Sequence, residues 1–195
     1  MRAFLNATII LLILAAAASF ACAFDLKDYP KPMFIDEGGN FNGLLVVGKA
    51  AASSDVIGLA DIKASLQRDS VQYHRNKITG LVTLEVNIIP VTAVKLDSDI
   101  DDPDHQAMIV VGGPCTNSIA ARLLGYPRNC AEGFEEGRAV IRVFDNNGNP
   151  AILVAGMTKK DTMRATTVLA NHREFGLSGQ ELVVSSQTLK ELTIA

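Results

Sequence analysis

The chain has 195 residues, 48% of them hydrophobic, with 18 basic residues against 21 acidic ones and a net charge of −3. That length suits one domain with a real core, and the mild acidity gives no electrostatic footprint for nucleic acid. The absence of Trp and the presence of only three Tyr leave no evident aromatic platform for a sugar.

The first element in chain order is a targeting segment. Arg2 is followed by an apolar block around Ile9–Ala18, and Ala21-Cys22-Ala23 fits an A-x-A cleavage site. The division expected is residues 1–23 as a signal peptide and residues 24–195 as a single domain. Asn6 and Thr8 interrupt the apolar run, which favours a cleaved signal over the competing uncut anchor. No later stretch approaches the ~18 apolar residues that cross a bilayer, so the mature chain is expected to be exported with no membrane span. Loss of Arg2 takes its net charge to −4, and it holds no Asn-x-Ser/Thr acceptor for N-glycosylation.

Residues 24–41 contain Pro30, Pro32 and the Gly38-Gly39 pair and read as an irregular entry segment across the domain surface. Leu44–Val47 is a short apolar run suited to a strand buried on both faces, and Gly48 ends it. Ser53 or Ser54 is placed to cap the following helix, with Val56, Leu59, Ile62 and Leu66 as its buried stripe. QRDSVQYHRNK reads as loop or helix end, and Ile78–Ile89 as a strand with partial alternation. Met108–Val111 repeats the strand plan, with the Gly112-Gly113 turn and Thr116 or Asn117 as cap. Ile119, Ala120, Leu123 and Leu124 form the buried face of a short helix. Ala139–Phe144 and Ala151–Ala155 read as a hairpin about the Asp145–Asn149 turn. Thr158 and Asp161 resemble a capping box, and Ala165, Val168 and Leu169 point inward from the next helix. Glu181–Ser185 and Leu189–Ile194 are the last two strands expected. The sum is an α/β fold: a mixed, mainly parallel sheet flanked by helices, with one β-hairpin.

Three stretches carry candidate chemistry. Signal cleavage removes Cys22 and leaves Cys115 and Cys130, which in an oxidising compartment read first as a disulfide. The bridge closes a loop of about 15 residues, worth roughly 3 kcal/mol in the chain-entropy model. The competing reading makes Cys115 a nucleophile at a helix N-terminus, but nothing in the spacing ties His74, His105 or His172 to it as a base. VVGGPCTNS offers a phosphate-binding turn, yet no G-x-G-x-x-G or G-x-x-x-x-G-K-[ST] is present, and Pro114 removes one amide donor. A tight strand-to-helix turn is the plainer reading. In KLDSDIDDPDH, Asp97, Asp99 and Asp101 have the alternate spacing of a calcium loop, with Asp102 and Asp104 nearby. Counted from Asp97, positions six and twelve hold Asp102 and Met108 in place of the Gly and carboxylate of an EF-hand. The run therefore reads as a solvated loop with calcium as its one candidate cofactor. Its lack of an apolar setting argues against a glycosidase carboxylate pair.

The chain resembles the archaeal surface-layer (S-layer) proteins of methanogens and Thermococcales. The likeness lies in FNGLLVVGKAAASSDVIGLADIKASL at Phe41–Leu66 and in the Met108–His172 stretch, above all GGPCTNS…NCAEGF and VAGMTKKDTMRATTVLAN. Full proteins of that type are much longer and carry further domains between these two segments, which here are joined by roughly forty residues, Gln67–Gln106. The resemblance implies fused N-terminal and C-terminal S-layer segments forming one α/β domain, no catalytic residue, and a disulfide that pins the Gly112–Leu124 turn and helix to the Tyr126–Phe134 loop. It also implies a secreted, structural place at the cell surface, with itself, S-layer proteins or other envelope proteins as partners. The alternative is an exported ligand- or calcium-binding module using the strand-end turns near Gly48 and Gly112-Gly113.

Overall fold

The computed structural model describes residues 24–185 and 193–194. The proposed signal peptide lies outside the described residues, as does most of the final predicted strand.

A seven-stranded mixed sheet organises the fold. Its strands are β1 (Leu44–Val47), β4 (Val94–Leu96), β5 (Met108–Val111), β6 (Arg138–Asn146), β7 (Asn149–Gly156), β8 (Glu181–Ser185) and β9 (Thr193–Ile194), in the spatial order β4-β1-β5-β7-β6-β8-β9. β4, β1, β5 and β7 pair in parallel, and the three pairings from β7 to β9 are antiparallel. Helices α1 (Ser53–Asp69) and α3 (Lys159–Ala170) cover one face, and the short α2 (Ser118–Leu123) lies on the other.

Burial follows directly from this order. β1, β5 and β7 sit between neighbours and under both layers, so almost every residue is buried and each strand reads as a continuous apolar run. Leu45, Val47, Ile109, Val111, Ile152 and Val154 face α1 and α3, while Val46, Met108, Val110 and Leu153 face α2. β6 has one covered face and alternates accordingly, with Ala139, Ile141 and Val143 inward.

Several sequence expectations need correction. The entry segment does not merely cross the surface: Leu26, Tyr29, Phe34 and Ile35 are buried in the larger core, and Leu26 N–H donates to the Gly179 carbonyl. Ala52, and neither Ser53 nor Ser54, is the N-cap of α1, without a side-chain bond. Val56 is 51% exposed because Gly58, Leu59, Ile62 and Leu66 face inward instead. Gly58 is required there, since a Cβ would lie 2.4 Å from Thr166 Oγ1 on α3.

The segment read as loop or helix end is β2 (Val71–Arg75). It pairs antiparallel with β3 (Val82–Val86) as a second hairpin outside the main sheet. Its turn is built by Asn76, whose Oδ1 accepts from the amides of Ile78 and Thr79. Among the described residues no helix is long and apolar enough to cross a membrane.

Candidate functional site

The carboxyl ends of parallel strands are where open α/β sheets usually take ligands, and a cleft of about 280 Å³ opens there, beyond β5 and β7. Gly113, Pro114 and Thr116 form one wall, Gly156, Met157 and Thr158 another, and Phe134 closes it. Cys115 and Cys130 are joined as a disulfide in the same wall. The bridge ties the turn before α2 to the loop after it. The thiol that a nucleophile requires is therefore consumed.

Glycine at the end of β1 lets these turns come together. A Cβ on Gly48 would stand 2.0 Å from the Thr116 carbonyl oxygen. Asn117 then caps α2, its Oδ1 accepting from the amides of Ile119 and Ala120 while its Nδ2 donates to the Val111 carbonyl. Asp55 is buried at the cleft floor, and burial raises its pKa above the ordinary carboxylate value against the hydrogen bonds from Ala52 and Ser54. The three cleft hydroxyls are already engaged, Thr116 Oγ1 donating to the Gly113 carbonyl. Thr158 Oγ1 donates to Asp161, and Thr162 Oγ1 accepts from the Gly156 amide. No imidazole lines the cleft. The lining suits a small apolar group, with Asp55 as its one carboxylate and no free thiol among the described residues.

The acidic run does not enter this cleft. Asp97 Oδ1 accepts from the Lys49 amide at 2.6 Å, and its Oδ2 accepts from the Ser118 amide and hydroxyl at 2.7 and 2.8 Å. Its partial burial works to raise the pKa, but these donors outweigh that and hold it below the ordinary value. Asp102 accepts from the Asp104 amide and faces His105, and Asp104 pairs with Arg122 on α2. Asp99 and Asp101 remain exposed. Among the described residues no three His, Cys, Asp or Glu side chains converge as a metal-ligand set. Calcium takes six to eight oxygens, and this arrangement already engages four of the five aspartates with protein partners, Asp99 accepting from the Ser98 hydroxyl.

At the opposite end of the sheet, where α1 and α3 terminate, Asp69 and His172 lie side by side at 3.4 Å, and Arg173 also pairs with Asp69. Tyr29 packs edge-on against the His172 ring at 5.1 Å. Burial, followed by repulsion from the Asp69 charge, drives the Tyr29 phenol far above its usual pKa. A cleft of about 530 Å³ opens beside this cluster, lined by Lys31, Arg68, Val71, Tyr73, His172 and Arg173. Sequence reasoning placed His172 at a helix C-terminus but missed its partners Tyr29, from the entry segment, and Asp69, from the end of α1. The hairpin beside this cleft was missed too. Its signal was the alternation of VQYH and VTLEV about an Asn-initiated turn.

Comparison with known proteins adds the last line of evidence. The profile of the S-layer like family, outer domain, matches residues 70–172, just over half of the chain, from the start of the β2–β3 hairpin to the end of α3. No curated protein sequence matches. The matched stretch contains both cysteines, the strand-end cleft turns and the capping box of α3, and membership of this family supports a structural role at the cell surface. This chain, with an α/β fold stapled by the Cys115–Cys130 disulfide, belongs to the S-layer like family, outer domain.

Proposed function

We propose that the chain is a non-catalytic structural module of the archaeal cell surface, assembling with itself or with S-layer proteins. The family match over residues 70–172 carries this reading. The disulfide supports an oxidising, extracytoplasmic setting. The arrangement of the sheet supports the finer reading, that N-terminal and C-terminal segments of the methanogen and Thermococcales type are fused here. β1 and α1 come from the first segment, and β5, β7 and α3 from the second. β1 pairs directly with β5 in register, Leu44 with Met108 through Val47 with Val111. Export is directed by residues 1–23 acting as a signal peptide.

Size-exclusion chromatography with light scattering, with calcium and then with chelator, tests the proposal. Assemblies larger than the monomer at micromolar protein are expected. If they form only with calcium, the aspartates from Asp97 to Asp104 are the ligands to mutate first. A chain that stays monomeric in both conditions, and that fails to bind purified S-layer protein, would overturn the proposal.

A further inference from the structure

The β2–β3 hairpin has a sharply divided character. Alternation puts Val71, Tyr73 and Arg75 on one face with their partners Val86, Leu84 and Val82, and Gln72 and His74 on the other with Glu85 and Thr83. The apolar face is not packed on the chain's own core: Tyr73 is 72% exposed and Leu84 60%. A two-stranded hairpin alone in water is marginally stable. A contiguous apolar face of this kind marks a contact surface.

Charge decides what covers it. The same face runs at its root into the cleft that Val71 and Tyr73 share with Lys31, Arg68 and Arg173. Arg75 stands at its outer end. All four cations are exposed. The one carboxylate of the cleft, Asp69, is buried and occupied by Arg173 and His172. Glu85 lies on the other face against His74. Two such faces packed on each other about a two-fold axis would set cations against cations, which disfavours a self-complementary dimer. The complement is a segment that is acidic and partly apolar. The densest acidic run in the chain has that character: Asp99 and Asp101 are exposed, Leu96 is 39% exposed beside them, and neither Asp99 nor Asp101 has a cationic partner among the described residues.

We propose that the apolar face of the hairpin, with the cationic cleft at its root, receives the Leu96–Asp102 segment of a second copy, so that copies join head to tail. The proposal rests on the self-assembly reading above and specifies the surfaces that carry it. A contact between two different surfaces leaves one of each free at the ends of every pair, so it repeats into rings or open arrays.

Two double variants of the full chain test it. Tyr73→Glu with Leu84→Glu spoils the hairpin face, and Asp99→Lys with Asp101→Lys spoils the acidic run. All four positions are exposed, and thermal melts close to that of the unchanged chain verify folding. Light scattering at micromolar protein is expected to show assemblies for the unchanged chain, weakened by salt, and monomers for each variant alone. An equimolar mixture of the two variants is expected to give a complex of two chains and nothing larger, because each supplies the surface the other lacks. If the unchanged chain assembles and either folded variant assembles equally well, or the mixture stays monomeric, the proposed contact is wrong while self-assembly stands. If the unchanged chain is itself monomeric, the self-assembly reading falls and this contact falls with it.

Discussion

His172 shows how one side chain couples folding to pH. It is 9% exposed, wedged against Tyr29 and Asp69 with Arg68 and Arg173 nearby. Burial dominates and lowers its pKa, Arg173 and Arg68 lower it further, and the Asp69 charge and the Leu169 backbone work in the opposite sense. A histidine whose folded pKa lies below the unfolded value of about 6.5 contributes stability that is complete above that value. The contribution is lost as pH falls through it toward the folded pKa, because the unfolded chain takes up the proton first. Denaturant midpoints are therefore expected to fall between pH 7.5 and 5.5 in the native chain, and to fall less in His172→Gln. Equal pH dependence in the two proteins would show that another group controls the slope. Little of this was legible beforehand: the position of His172 at a helix end was visible, but Tyr29 and Asp69 lie over a hundred residues away in sequence.

At the scale of the element, local rules worked where one segment could satisfy its own needs. Thr158 and Asp161 form the expected capping box, with Asp161 Oδ2 accepting from the Thr158 amide at 3.1 Å and Thr158 Oγ1 accepting from the Asp161 amide at 3.3 Å. Thr158→Ala is expected to cost about 1 kcal/mol, read as a lower denaturant midpoint with an unchanged slope. An unchanged midpoint would show that α3 is held by packing alone. The same local reasoning failed at α1, where two serines adjoin the helix start and neither caps it. It failed again at β2, where polar residues on one face obscured the apolar alternation of the other. β4 was missed because three residues at a sheet edge carry too little pattern to stand out.

At the scale of the molecule, the Cys115–Cys130 bridge restrains the one long irregular connection between α2 and β6. Replacing both cysteines by serine is expected to cost roughly 3 kcal/mol, since the reduced unfolded chain regains the entropy of a loop of about 15 residues. The measurement is equilibrium denaturation of the double variant beside the oxidised native chain. A difference well under 1 kcal/mol would mean that the connection is ordered by its own contacts, such as the Tyr126 amide donating to the Ala121 carbonyl. Either result concerns stability alone, because neither cysteine is free to act on a substrate.

The sequence by itself determined the class of this protein. Apolar runs at Leu44–Val47, Met108–Val111 and Ala151–Ala155, each followed by glycine and a helical stripe, specify strands buried on both faces, and buried strands of that kind demand helices on each side. Cys115 and Cys130, which the sequence suggested as a pair, are joined as the disulfide. Tertiary structure alone decided where the pieces meet. It set β1 against β5, drew the entry segment into the core, and committed Asp97 to Lys49 and Ser118. It also left the β2–β3 hairpin standing clear of the sheet. The physical reason is range: caps, turns and periodicity act within a few residues. Pairing order, long-range hydrogen bonds and the exposure of an apolar face depend on which distant segments compete for the same surface.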